Sequence, residues 1–322
     1  MKYRKIGKSG VKISEISLGS WQTYGSAIDI KKTENCVKRA FELGINSFDT
    51  ADVYGYGQTH AGAAEELLGK ALSEIPRHMY VLATKAFWPV GQGVNEQGLS
   101  RKHLFEACNA SLKRLNTDYV DIFYCHRFDT ETPLEETLMA LDDLVKQGKV
   151  LYIGVSEWTP EQIMQAEKIT SEMHLNPVII NQPCYNMLNR SIEKKVLPVC
   201  ETEGIGLAVW SPVAQGVLTG KYVKGYEFPE GSRAKDPLAM NPLMNEYITD
   251  ENLDKVAELK KIAEGLGIPL VDMALSWILS KKAVTSVIIG ASRPEQIEQN
   301  VKAVEIELSE VTLKEISHVL DA

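Results

Sequence analysis

SFDTADVYG at residues 47–55, followed by TKAFW at 84–88 and YCHRFD at 124–129, decides how this chain folds. Each carries a short apolar run that ends on or beside a side chain able to hold or move a proton. These are Asp49, Lys85 and His126, with Tyr54 on the loop just past Asp49. Groups at the ends of separate strands converge only when the strands run parallel and point the same way. An acid, a phenol, an ammonium and an imidazole then share the rim of a barrel.

The rest of the chain agrees with that reading. Eight short runs rich in Val, Ile, Leu and aromatic residues are predicted as strands: Ile16–Leu18, Ser47–Asp49, Tyr80–Thr84, Val120–Tyr124, Leu151–Val155, Val178–Asn181, Gly206–Val209 and Ser286–Ile289. They lack polar alternation, as parallel strands covered on both faces do. Helical signals fall between them. Ser100 precedes apolar positions at helical spacing (Leu104, Ala107, Cys108, Ser111, Leu112, Leu115). Thr132-Pro133-Leu134-Glu135, Thr159-Pro160-Glu161-Gln162 and Ser292-Arg293-Pro294-Glu295 read as capping boxes with Pro at the first helical position. Eight alternating units predict an α/β fold, a (β/α)8 TIM barrel forming one domain over residues 1–322. An N-terminal β-hairpin, Tyr3 to Ile6 and Val11 to Ile16, precedes it, and a helix from Ser309 to Leu320 closes the chain. No GxGxxG follows any strand, so a doubly wound dinucleotide domain lacks its fingerprint. The Gly- and Pro-rich stretch Gln215 to Asp250 follows the seventh strand, where a loop of that length serves as a lid.

Composition narrows the function. A net charge of −8 argues against a nucleic-acid partner and against binding to an anionic membrane surface. No apolar run approaches the roughly 20 residues that span a bilayer, and MKYRKIGKSG has no apolar signal core. Five cysteines without a CxxC spacing point to reduced thiols and a cytoplasmic protein. Cys125 adjoins His126, but strand alternation turns it the other way, into a structural, buried position.

The predicted strand ends present Asp49, Lys85, His126, Ser156, Asn181, Gln182, Trp210, Ser211 and the segment Gly290 to Ser292. A phenol titrates near 10, and the Lys85 ammonium, held by Asp49, is expected to lower Tyr54 toward acidity. His126 would donate a hydrogen bond to a carbonyl oxygen, so the quartet suits protonation of an alkoxide. A metal hydrolase needs clustered ligands. His60, His78, His103, His174 and His318 fall in helices or loops, so no metal site is expected. A general acid of this kind needs a hydride donor beside it. Trp210 or Tyr185 would stack on a flat ring, and Ser156, Asn181 and Gln182 would bind an amide. SPVAQGVLTGK (211–221) would wrap a pyrophosphate with Lys221 supplying charge, and Ser292 opens a helix whose free N–H groups attract phosphate. Trp21, Tyr54, Trp88, His126, Phe128 and Trp158 would form an aromatic substrate pocket. Arg127 would either attract an anionic substrate or sit in a surface salt bridge.

These motifs resemble the aldo-keto reductases, from Lys2 to the final helix. The resemblance is greatest to the branch that includes the β-subunits of voltage-gated potassium channels and their bacterial relatives. FDTADVYG, TKAFW, GLSRKH (98–103), TPLEET (132–137), WSPVAQGVLTGKY (210–222), SRA (232–234) and GASRPEQIEQN (290–300) carry it. The resemblance implies NADPH extended across the barrel top, with NAD a lesser alternative, and Asp49, Tyr54, Lys85 and His126 as the catalytic quartet. Ser156 and Gln182 would then meet the nicotinamide carboxamide. Trp21, Trp210, Ser211, Pro212, Val213, Ala214, Gln215, Gly216, Leu218 and Lys221 would hold the ring and pyrophosphate. Arg233, Gly290, Ser292, Gln296, Gln299 and Asn300 would surround the adenosine end. Three departures stand out: Glu157 where many members have Asn, Gln296 where many have Arg, and extra residues within YGYGQTHAGAAEELLG (54–69).

The expected activity is NADPH-dependent reduction of an aldehyde or ketone, a small-molecule carbonyl substrate. The alternative is a redox-sensing regulatory subunit. His126 stands where channel subunits usually have Asn, and the first strand starts close to Met1 without the extended tail those subunits often carry; both favour an enzyme. A catalytically silent scaffold is disfavoured by the intact quartet. The resemblance also implies a possible homo-oligomer.

Overall fold

The structure, a computed structural model, describes residues 1–55, 59–235 and 242–322. Strands β1 (Tyr3–Lys5) and β2 (Lys12–Ser14) form an antiparallel hairpin with Arg4 opposite Ile13. The barrel strands are β3 (Ile16–Gly19), β4 (Ser47–Asp49), β5 (Val81–Ala86), β6 (Val120–Cys125), β7 (Val150–Ser156), β8 (Val178–Gln182), β9 (Gly206–Val209) and β10 (Val284–Gly290). They close in chain order, β10 pairing parallel with β3. The expected (β/α)8 barrel, hairpin and terminal helix are all present. Lys85 falls inside β5 because that strand runs two residues further than its apolar stretch suggests.

Helices alternate with these strands: α1 (Ile30–Glu42), α2 (Ala63–Leu72), α3 (Arg101–Leu115), α4 (Leu134–Lys146), α5 (Pro160–Glu172), α6 (Val196–Glu203), α7 (Pro242–Tyr247), α8 (Asp250–Gly265), α9 (Leu270–Leu279), α10 (Pro294–Asn300) and α11 (Glu310–Asp321). Among the described residues, no single helix is long and apolar enough to cross a membrane. Of the three expected capping boxes, Thr159 and Gln162 form one. Thr132 instead donates to Asp129 at 2.7 Å, and Ser292 engages the Gln296 side chain, so α4 and α10 start without a side-chain cap. The stretch after β9 contains a turn over Ala214–Thr219, the short Arg233–Lys235 and α7; its residues 236–241 lie outside the described residues, as do 56–58 of the lengthened loop beside Tyr54.

Two apolar layers hold the barrel. The larger lies between strands and helices, and it contains the buried Cys125. Burial pushes the Cys125 thiol up to about 12, so it stays protonated and structural, as the strand alternation predicts. The smaller layer fills the barrel with Val81, Ala83, Ile122, Tyr124, Ile180, Ala208 and Ile288, and the hairpin closes its base with Ile6 and Ile13. Gly154 on β7 makes room for Tyr124, since a Cβ there would stand 2.5 Å from the ring.

A buried charge network supports β5 just before Lys85. Thr84 Oγ1 donates to Glu65 Oε1 at 2.5 Å, and Arg114 Nε meets Glu65 Oε2 at 2.6 Å. The Glu65 side chain is 0% exposed, so Arg114 is its essential counter-charge, tying α3 to α2 and β5. Removing one partner of such a pair strands the other. Arg114→Met is expected to cost about 3–5 kcal/mol in urea denaturation. A change under about 1 kcal/mol would count against this role.

Candidate active site

Asp49 ends β4, Lys85 is the penultimate residue of β5, and His126 follows β6, so neighbouring strands bring all three to one rim. Lys85 Nζ is fully buried and donates to Asp49 Oδ1 at 2.5 Å and to the Thr50 carbonyl at 2.7 Å. The other carboxylate oxygen, Asp49 Oδ2, accepts from Gln182 Nε2 at 2.8 Å across the barrel. Tyr54 comes down over this pair, its hydroxyl 3.4 Å from Lys85 Nζ and its ring 5.7 Å from that of His126.

The protonation states follow from burial. Desolvation lowers Lys85 despite the opposing pull of Asp49. It also drives His126 well below the usual imidazole range, with Lys85 and Arg127 adding to the effect. His126 is therefore a neutral imidazole. Its Nδ1 is buried without a partner, so the ring proton is assigned to Nε2. Tyr54 reverses the expectation from sequence. Burial, reinforced by Asp49, holds its phenol well above the ordinary value rather than below it, because desolvating a phenolate outweighs one ammonium already neutralised by Asp49. At neutral pH the phenol carries its proton.

From this quartet a cleft of about 880 Å³ runs across the barrel mouth to α10. Tyr54, Trp21, Trp88 and His126 line one end, with Val53, Gly55 and Arg127. Ser156, Gln182, Trp210, Ser211, Pro212, Val213, Gln215, Gly216, Lys221 and Arg233 line its length, and Gly290, Gln296, Gln299 and Asn300 the far end. The sequence reading did not assign Gly19, Gln22, Val271, Ile288, Ile289 and Glu295 to the site, although they line the cleft: most carry no ionisable group, and Glu295 falls in a motif that reads as a helix start.

Some expected site residues do not line it. Asn181 faces outward from β8 and is 0% exposed, because its strand neighbours Ile180 and Gln182 take the interior positions. Ala214 and Leu218 are buried in the core beneath their turn. Phe128 and Trp158 pack on each other, ring centroids 4.9 Å apart, in the layer behind the site. Ser292 is exposed, its N–H donating to Gln296 Oε1 at 2.8 Å, which also draws the Gln296 side chain back onto the chain. Tyr185 lies against Trp277 and donates to Glu193 at 2.6 Å, leaving Trp210 as the aromatic of that pair on the cleft.

Trp210 is itself held. Its indole N–H donates to Glu157 Oε1 at 2.7 Å, and the same oxygen accepts the Cys184 N–H at 2.5 Å. Trp21 meets Trp210 edge-on, ring centroids 5.7 Å apart. Glu157 reaches this position from a left-handed backbone, φ 58°. Gln22, Ser211, Ala214 and Gln215, all in loops after barrel strands, share that strained region, which costs on the order of 1–3 kcal/mol each. Gln215 joins Ser211 Oγ, 2.8 Å away, to the Arg233 guanidinium, and Asn186 supports the Ser211 carbonyl at 3.0 Å. With Lys221 and Arg293 also on the cleft, these residues fit a long anionic cofactor with a flat ring at the quartet end.

Residues 15–321 match the model of the Aldo/keto reductase family. The sequence is 43% identical over 327 residues to a probable voltage-gated potassium channel subunit beta of Arabidopsis thaliana, covering 100% of this chain and 97% of that protein. It is 43% identical over 329 residues to a putative subunit of the same kind from Schizosaccharomyces pombe, covering 99% and 93%. It is 40% identical over 308 residues to the L-glyceraldehyde 3-phosphate reductase of Escherichia coli (strain K12), covering 94% and 87%.

The Glu157 bond can be read from near-ultraviolet circular dichroism. Glu157→Ala is expected to release Trp210 and weaken the Trp21–Trp210 signal, whereas Glu157→Gln, which keeps an acceptor oxygen, retains it. Equal spectra for both variants would show that Glu157 does not hold the indole.

Proposed function

This chain belongs to the aldo/keto reductase family, whose chemistry is oxidoreduction at carbonyl groups, and on that premise we propose that it reduces aldehydes or ketones with NADPH, Tyr54 acting as general acid. The observation that carries the reading is the meeting of the Tyr54 hydroxyl with Lys85 and the His126 ring at one end of the cleft. NADPH, when bound, supplies the hydride from its nicotinamide C4.

The chain's own residues supply everything else. His126 Nε2–H points a hydrogen bond at the carbonyl oxygen and polarises it. As charge develops there, the oxygen becomes an alkoxide, a far stronger base than a phenolate, so proton transfer from Tyr54 runs downhill even from a raised pKa. The phenolate left behind faces the Lys85 ammonium, which Asp49 keeps oriented. Trp21 and Trp210 form an apolar wall edge-on to each other, while Ser156 and Gln182 would orient the nicotinamide amide. Lys221, Arg233 and Arg293 would take the phosphates, and the cation pair Arg233 and Arg293 replaces the arginine that Gln296 lacks, which favours NADPH over NADH.

The names of two relatives motivate a second reading, a cofactor-holding regulatory subunit. Single-turnover kinetics separate the two: oxidation of bound NADPH by aldehyde within seconds supports an enzyme, and hours supports a sensor.

In fluorescence titration the protein is expected to bind NADPH more tightly than NADH. Tyr54→Phe is expected to bind NADPH as tightly as the native protein but to lose turnover about 10²–10⁴-fold. Retained turnover would remove Tyr54 from the acid's role.

The pH dependence carries a further expectation. A His126 pKa below the usual range means the neutral form already prevails at pH 6. A raised Tyr54 pKa means the acid form persists past pH 9. At saturating NADPH, kcat for reduction should therefore be flat between pH 6 and 8. An ionisation near pH 6.5 that is abolished in His126→Asn would contradict the neutral imidazole.

A further inference from the structure

Resting on the reductase reading, we infer that Arg127 makes the carbonyl end of the cleft a subsite for an anionic group, so that the preferred substrates are short aldehydes carrying a phosphate or carboxylate. Arg127 follows His126 directly and lines the cleft with Tyr54 and Trp88. Its guanidinium lies over the Trp88 ring, 5.5 Å from the centroid, and Nη1 donates to the His126 carbonyl at 2.5 Å. Those two contacts fix the side chain beside the quartet and leave most of its five donors to a ligand.

The salt-bridge alternative raised by the sequence does not occur: Arg127 has no carboxylate partner among the described residues. Two carboxylates of the neighbouring strand ends are committed elsewhere. Asp49 is shared by Lys85 and Gln182. Asp129 accepts the Leu99 and Glu131 N–H groups at 2.7 and 2.9 Å and the Thr132 hydroxyl at 2.7 Å. A guanidinium fixed on an apolar ring and lacking a counter-charge is built to receive an anion.

Position separates this cation from those suited to cofactor phosphates. Lys221, Arg233 and Arg293 come from loops after β9 and β10, whereas Arg127 comes from the loop after β6, in the half of the ring that carries the quartet. A cofactor stretched from the quartet toward α10 leads away from Arg127, so its charge faces the substrate. In a protein of net charge −8, a cationic cleft also draws anionic substrates from solution.

Two pairs that differ in anionic charge test this: 4-oxobutanoate against its methyl ester, and glyceraldehyde 3-phosphate against glyceraldehyde. The native protein is expected to favour the anion at least tenfold in kcat/KM in one pair or both, and the pair that shows it distinguishes carboxylate from phosphate. Arg127→Gln should bring that ratio close to one, and Arg127→Lys should restore part of it. A native ratio near one, or a ratio unmoved by Arg127→Gln, would overturn the inference. If none of the four aldehydes turns over, the reductase reading fails. The subsite is then judged by binding alone, as quenching of tryptophan fluorescence by 4-hydroxybutanoate and glycerol 3-phosphate. Loss of binding in Arg127→Gln supports it, and equal affinity in both proteins rejects it.

Discussion

A single carboxylate governs this site. Asp49 answers a fully buried ammonium with one oxygen and a buried amide with the other, joining β4 to β5 and, across the barrel, to β8. A charge such as Lys85, taken out of water, is tolerated only with a close counter-charge and hydrogen bonds on its remaining protons. Asp49 and the Thr50 carbonyl provide them. The seat of the Tyr54 hydroxyl beside Lys85 and the orientation of Gln182 follow from that arrangement; burial, with Lys85 and Arg127 adding to it, keeps His126 neutral. The barrel's closed register makes it possible, because strand ends fixed by pairing place Asp49, Lys85 and Gln182 without adjustable loops.

Around this rigid centre the cleft is built differently. The side after β9 comes from turns rather than strands, and a relay of side chains holds them: Asn186 under Ser211, Ser211 to Gln215, Gln215 to Arg233. Glu157 plays the same part for Trp210. Through that bond Glu157 fixes an aromatic wall of the cleft. The charge of the cleft is divided as well, with cations suited to phosphates at one end and Arg127 alone beside the quartet.

Most of the architecture was legible in the sequence because parallel barrel strands are apolar throughout and each is followed by a helix. The quartet was legible for a related reason: an ionisable residue at the end of an apolar run has few structural uses. What escaped was direction. Asn181 and Gln182 are adjacent amides, and only the phase of β8 decides that one faces the helices and the other the cleft. Phe128 and Trp158 looked like pocket aromatics by proximity in sequence, but their best burial is against each other. The sign of the Tyr54 shift also escaped, since the opposing effects of burial and a neighbouring cation depend on depth, which no motif records.

The left-handed residues on the rim have a consequence for how this protein can change. Gln22, Glu157, Ser211 and Gln215 each occupy backbone that glycine would adopt without strain. Replacing them with glycine would relieve that strain while deleting a side chain that shapes the cleft. Selection for heat resistance alone would therefore drift toward a sturdier barrel with a blunter mouth. At these four positions backbone strain is the cost of a side chain held at the barrel mouth.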